Sequence, residues 1–431
     1  MTMTVINSVE DIREMISRHE RYRARCLNLI ASENVVSASA RKLLASDMVG
    51  RYATYYDDPA VRNYKGNKYM AELEIAALEL AKRLFDADFV DLRPLSGEMA
   101  VKSIFVGLTR PGDKIFESGP TDGGHGVGRR MLAGNLFKGI LDLRYFPVKG
   151  YQLDLDMPRL QQMIKEEKPK LIVFGRSRIL FPEPIEQIRE AADEVGAYVA
   201  YDASHLMGLI AGKVFPNPLD QGADVVAGST AKTLGAPQGG IVFTRNEDIY
   251  KKVRAGFYPP LVANHHIHRI PGLAATFLEM LEFGEAYYRQ IVRNSQAFGK
   301  ALYERGFDVL ARDRGFSQSH EVLVDVSKLG DGRRIANLLE QANIIIGGAT
   351  LPKDVKTEVK ATSGLRLGTQ EVTRTGAVEA DMEGIADLMK RVVIDKEDPQ
   401  KVAADVATFV ACFNEIKYTF DKGVAPYTSL F

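Results

Sequence analysis

Between about residue 70 and residue 245 the chain alternates short apolar runs with segments whose apolar residues recur every three or four positions. The clearest passage reads PKLIVFG (169–175), EQIREAADEVG (186–196), AYVAYDAS (197–204), ADVVAGST (223–230) and GGIVFT (239–244). Runs that are apolar throughout, separated by helical patterns, predict a mainly parallel sheet covered on both faces, with ligands at the carboxyl ends of its strands. A long helical pattern over 274–305 leads into a second region. There HEVLVDVS (320–327) and NIIIGG (343–348) read as strands, and 331–342, 379–394 and 399–416 as helices, which predicts a smaller α+β lobe. The first 23 residues form an amphipathic pattern capped near Asn7 or Ser8. The organisation expected is an N-terminal helical segment (1–50), a large domain (51–285) and a small C-terminal domain (286–431).

Composition narrows the class. With 431 residues, 45% apolar and 26% charged, the chain can bury a sizeable core, which excludes wholesale disorder. Its 56 basic and 56 acidic side chains cancel, so no overall field favours nucleic acid or an anionic membrane, and any anion must be held locally. Cys26 and Cys412 are the two cysteines and are far apart in sequence, against a disulfide framework or thiolate metal site. No apolar run approaches the roughly 20 residues that cross a bilayer, and the start lacks a signal-peptide pattern, so a cytoplasmic protein is expected.

The chemistry concentrates at strand ends. AYVAYDAS ends on Asp202 with His205 close behind, and the next strand ends at Ser229-Thr230-Ala231-Lys232, before glycine-rich TLGAPQGG. Alone, such an Asp caps a turn and such a Lys is solvated. Together, a lysine able to form a Schiff base and a carboxylate able to keep a pyridine nitrogen protonated are what pyridoxal phosphate requires. Ser96-Gly97-Glu98 opens a helical segment and so offers backbone N–H groups to an anion. Asp122-Gly123-Gly124-His125-Gly126 reads equally as a glycine-rich turn or as a loop that lays an imidazole on a cofactor ring.

With Leu29-Ile30-Ala31-Ser32-Glu33-Asn34, Arg51-Tyr52-Ala53 and Ser363-Gly364-Leu365-Arg366-Leu367-Gly368-Thr369, these stretches resemble the serine hydroxymethyltransferase family. The resemblance is closest to its archaeal type, in KPKLIVFG, GLIAGK, NHHIH, LEMLEFGEAY and SGLRLGTQE, and runs from about Leu27 to the last helices. It implies the fold type I, aspartate aminotransferase-like α/β architecture: a large domain with a mainly parallel seven-stranded sheet and a small α+β domain. It also implies pyridoxal 5'-phosphate, an amino-acid substrate, and a homodimer or tetramer whose subunits share active sites. Lys232 is then the lysine that links to the cofactor and Asp202 the partner of its ring nitrogen, with His125 stacked on the ring. His205 and Ser177 would contact the phenolic oxygen side, while Ser96, Gly97 and Glu98, with Thr230, would bind the cofactor and its phosphate. Glu98 stands where the family often has a small hydroxyl residue, so its side chain should point away from the phosphate. Arg366 would grip the substrate carboxylate, assisted by Ser32, with Tyr52 and Tyr64 supplied by the neighbouring subunit.

The implied activity is making or breaking the Cα–Cβ bond of a β-hydroxy or α-substituted amino acid. Three departures bear on it. The family's Tyr-Ala-Glu-Gly reads Tyr52-Ala53-Thr54-Tyr55, so the glutamate that handles protons near the substrate hydroxyl is replaced by Thr54, which is no acid near neutral pH. Asp57 or Asp58 could substitute for it. Ala231 stands where the family has histidine, and the loop before Arg366 lacks the pterin-contacting asparagine. Tetrahydrofolate use is therefore in question. A folate-independent threonine aldolase or transaldolase, another Cα reaction such as racemisation, or more remotely a non-catalytic cofactor-binding descendant remain as alternatives. Arg176 and Arg178, flanking Ser177, read as surface charge or as recognition of an anionic substrate. His265, His266 and His268 have no acid or cysteine beside them in sequence, and no metal is expected.

Overall fold

The protein is described by a computed structural model covering residues 6–53, 62, 64–120, 122–133, 139–149, 153–356 and 362–428. Ser8 caps the first helix, Val9–Arg23, in a capping box with Asp11. The large-domain strands are β1 (Phe89–Asp91), β2 (Lys114–Glu117), β3 (Asp142–Tyr145), β4 (Leu171–Phe174), β5 (Tyr198–Asp202), β6 (Val225–Ser229) and β7 (Gly240–Thr244). They form one seven-stranded sheet in the order β1-β7-β6-β5-β4-β2-β3. All pairings are parallel except those of β7, which runs antiparallel to both β1 and β6. The five segments singled out by periodicity are all present, and Glu186–Val195 ends on Gly196 in the left-handed conformation, as a helix C-terminus prefers. Every residue of β4 is buried, as befits a strand covered on both sides.

The small domain carries β8 (Asp308–Val309), β9 (Glu321–Asp325), β10 (Gly347–Ala349) and β11 (Gly364–Gly368), antiparallel in the order β8-β9-β11-β10. The two domains share one helix. Residue 285 lies in the middle of one helix, Ile270–Glu304, whose first half packs in the large core through Leu273 and Phe277 and whose end packs in the small one through Phe298 and Leu302. The segment after the first helix is no separate unit either. Leu27 and Leu29 lie in the small-domain core, and Leu27–Asn28 pairs with Ile344–Ile345.

The seam between the domains is densely hydrogen-bonded. Gly368 N donates to Leu29 O at 2.8 Å, and Gln370 Nε2 donates to Ile30 O at 2.7 Å and Glu33 O at 2.6 Å. Tyr287 Oη, on the long helix, donates to Gln370 O at 2.8 Å. One turn beyond, buried Arg374 pairs with buried Glu279 of the same helix at 2.8 Å and donates to Tyr418 O at 2.7 Å. Arg374→Leu would strand Glu279 as a buried charge, so unfolding free energy should fall by about 3–5 kcal/mol, read as a lower denaturation midpoint. A midpoint equal to wild type would show that this pair does not hold the seam.

Candidate active site

The carboxyl ends of β4, β5 and β6 meet the start of the helix Gly97–Leu108 and the small-domain strand β11. Asp202 closes β5 with 6% of its surface exposed, and its Oδ1 accepts from Ser204 N at 3.0 Å. Its other oxygen lies 2.8 Å from His125 Nδ1. Burial raises the Asp202 pKa, but His125, Lys232 and Ser204 outweigh it and the net direction is down. Asp202 is therefore a buried, ionised carboxylate. Gly175, at the end of β4, has φ +97° and an added Cβ would stand 2.1 Å from Asp202 O, so only glycine lets the strands close here.

Lys232 follows β6 and is half-buried. Burial pushes its pKa down to about 8, with Arg366 and Arg130 acting in the same direction and Asp202 and Glu321 opposing. Ser96 caps the helix Gly97–Leu108, its Oγ accepting from Met99 N at 3.2 Å. Gly97 admits the adjoining strand end: a Cβ there would meet Ser229 N at 2.7 Å. Glu98 turns its carboxylate onto Lys102 at 2.9 Å and Arg130 at 3.2 Å, and Arg130 also donates to His125 O at 2.6 Å. The acid at this unusual position thus ties the helix start to the His125 loop.

Arg366 reaches across the seam from β11. Its Nη1 donates to Ser177 O and lies 3.4 Å from His205 Nε2. His205 is buried, and burial, Lys232 and Arg366 drive its pKa well below the usual value, so its imidazole is neutral. Ser177 Oγ donates to Gly123 O at 3.0 Å, joining this cluster to the His125 loop. Ser32 follows Ala31 in a segment pressed on β11, where a Cβ on Gly368 would come within 2.5 Å of Ala31 Cα.

Several expected residues play other parts. Thr230 is fully buried and its hydroxyl donates to Pro237 O at 2.6 Å, so it braces the turn before Lys232 and has no free donor for a phosphate. Arg176 is neither surface charge nor a free recognition group: its Nε pairs with buried Glu183 at 2.9 Å. Arg178 is half-buried, and burial first, then Arg366, pushes its pKa down to about 10. Tyr52 and Tyr64 are half exposed, at 50% and 51%, with ring centroids 5.1 Å apart. His265 lies against Glu74 at 2.5 Å, while His266 and His268 stack with each other. Thr54, Tyr55, Asp57 and Asp58 lie outside the described residues, as does part of the loop before Arg366. Sequence reasoning missed His320 and Glu321, both wholly buried beside His205; their signal was a His-Glu pair heading an otherwise apolar strand.

The family model described as Serine hydroxymethyltransferase matches residues 5–389. The chain belongs to the serine hydroxymethyltransferase family. It is 43% identical to the serine hydroxymethyltransferase of Thermococcus gammatolerans, over 97% of each chain. It is 42% identical to that of Pyrococcus horikoshii, over 98% of this chain and 99% of the relative. The crystal structure of an L-threonine transaldolase from Pseudomonas fluorescens superposes with a TM-score of 0.88 at 27% identity, covering 96% of this chain and 94% of that one. The fold type I architecture and the resemblance to archaeal members therefore hold, and the chain is an enzyme that uses pyridoxal phosphate.

The residues present fit that group. A buried ionised Asp202, a lysine of lowered pKa and the open first turn of a twelve-residue helix supply the anion, amine and N–H donors that a phosphorylated pyridine aldehyde needs. In cofactor-free protein, Schiff-base formation with added pyridoxal phosphate should rise through a midpoint near pH 8, because neutral Lys232 Nζ is the reacting form. A midpoint near an ordinary lysine's, about 10.4, would refute the lowered pKa.

Proposed function

We propose that the enzyme makes and breaks the Cα–Cβ bond of a β-hydroxy amino acid, with Lys232, Asp202 and Arg366 in the central roles. The observation that carries this is their convergence: a half-buried lysine of lowered pKa that feels both the buried Asp202 and the guanidinium of Arg366. When bound, pyridoxal phosphate supplies an electron sink that weakens a bond at Cα. Asp202 would keep the ring nitrogen of that group protonated, and His125, with its Nδ1 2.8 Å from Asp202, fixes that carboxylate's direction and would lie against the ring. Lys232 Nζ would attach the cofactor and, when free, is an amine able to take or return a proton near neutral pH. The first-turn N–H groups at Ser96 and Gly97 would hold the phosphate, while Glu98 is held aside by Lys102 and Arg130.

Arg366 binds the amino-acid carboxylate, with Ser32 assisting, and so selects which bond at Cα is weakened. Neutral His205 and Ser177 would line the phenolic oxygen side. Tyr52 and Tyr64 serve the site of a neighbouring subunit in a homodimer or tetramer, a role supported by their exposure on the single chain. No helix among the described residues is long and apolar enough to cross a membrane, and a cytoplasmic location is proposed.

A second reading, a folate-independent transaldolase that passes a glycine unit from threonine to another aldehyde, is favoured by Thr54 in place of the family's glutamate. The transaldolase likeness adds to it. Lys232→Ala should abolish the visible-edge absorbance of the cofactor adduct and lower turnover by about a thousandfold or more. Retention of both would end the assignment of Lys232. Serine and threonine cleavage should then be compared with and without tetrahydrofolate. Stimulation of serine cleavage supports the hydroxymethyltransferase reaction, whereas folate-indifferent threonine cleavage supports transaldolase chemistry.

A further inference from the structure

Behind Arg366 stands a second carboxylate. Glu321 on β9 pairs across the strands with Gly368, two residues beyond Arg366 on β11, so the two side chains share one face of the sheet. Glu321 is wholly buried, and its Oε2 accepts from Ile179 N at 2.8 Å. Its Oε1 has no hydrogen-bond partner of good geometry among the described residues. That oxygen lies 3.2 Å from His205 Nδ1, 3.6 Å from Arg366 Nη1 and 3.7 Å from His320 Nε2.

The trio His205, His320 and Glu321 has converging ligand atoms, all within 4.8 Å of one another. It is a poor cation site, because Arg366 adjoins it and Lys232 acts on its groups. His320 Nε2 is also taken by Ala31 O at 3.1 Å. The same cations suit an anion. The groups facing Glu321 are Arg366, Arg178 and Lys232 with the two imidazoles, and both imidazoles are neutral near pH 7 because burial drives their pKa values down. Arg366 is thus the nearest charge that stabilises ionised Glu321.

We propose that Glu321 is a positioning residue for Arg366, and that binding of an amino-acid carboxylate at Arg366 is coupled to uptake of a proton by Glu321. The inference rests on Arg366 being the carboxylate site. An arriving carboxylate neutralises the guanidinium and sets a second negative charge near the unpartnered Oε1. The buried carboxylate responds by taking a proton, since burial without a compensating cation disfavours the charged form.

The sign follows from the free state. Burial raises the Glu321 pKa to about 7 against the opposing pull of Arg366, the Ile179 N–H, Arg178 and Lys232. Below that pH Glu321 already carries its proton and the ligand carboxylate meets Arg366 alone. Above it, binding must also bring a proton, so affinity weakens as pH rises through about 7 and levels off above the raised pKa of the complex.

The test uses the holoenzyme and glycolate, a carboxylate with no amino group, which leaves the lysine linkage intact. Calorimetry at about pH 8 in two buffers of different ionisation heat should show net proton uptake on binding, and the glycolate Kd should rise about fivefold or more from about pH 6 to about pH 9. Glu321→Gln keeps an acceptor for Ile179 N–H and removes the charge. It should lose both the uptake and the pH dependence, and bind at high pH as tightly as wild type does at low pH. Wild-type binding without proton uptake overturns the proposal and needs no variant, and a Gln variant that keeps the wild-type profile does the same. Arg366→Lys separates the premise: if it leaves glycolate affinity unchanged, the carboxylate site is elsewhere.

Discussion

The active site depends on the seam that presses Leu29–Asn34 between the small domain and the long helix. Arg366 belongs to a strand of one domain, whereas Asp202 closes a strand of the other and Lys232 follows the next one. Their relative position is set by Gly368 N on Leu29 O, Gln370 Nε2 on Ile30 and Glu33 carbonyls, and Tyr287 Oη on Gln370 O. A misplacement of about 1 Å in such a constellation can cost about a hundredfold in rate. Backbone carbonyls and one helix therefore do work that no catalytic side chain can do.

Across that seam the charges are arranged in alternation. Asp202 is ionised because His125 and Lys232 flank it, and Lys232 loses its proton readily because burial outweighs Asp202. Burial first, then the cations Lys232 and Arg366, keeps His205 neutral. Each group departs from its ordinary behaviour through its neighbours, and the departures are complementary: a permanent anion for a ring nitrogen, an amine that can be neutral near pH 8, and an imidazole that donates or accepts without carrying charge.

The parts legible in the sequence were those with local signatures. The strand ends at Asp202 and Lys232 followed from apolar runs closed by polar residues, and the cradle at Ser96-Gly97 from a cap opening a helix. Thr230 and Arg176 were misread because their partners, Pro237 O and Glu183, are fixed by tertiary turns that spacing does not encode. The change of domain along the helix Ile270–Glu304 leaves no local mark for a related reason: one helix feeds two cores, and its periodicity is unbroken where the cores change. The buried pair His320-Glu321 was hidden at the head of a strand whose next three residues, Val322 to Val324, are ordinary core.

That pair also sharpens the meaning of the substitutions around the cofactor. The family's histidine before the lysine is Ala231 here, which removes one polar side chain next to Lys232 in the chain, and the glutamate of its Tyr-Ala-Glu-Gly motif is Thr54. Acid–base capacity has not disappeared from the pocket, since Glu321 titrates near pH 7 against Arg366. It stands on the carboxylate side, however, with no exposed surface, and its free oxygen faces His205 and the guanidinium. A buried acid in that place can tune how tightly an amino acid is held and at what pH, while proton transfer at the substrate's β-hydroxyl must come from another group or from the aldehyde itself. On the proposed assignment, binding and bond cleavage fall to different sides of one cofactor, and both substitutions, Ala231 and Thr54, belong to the cleavage side.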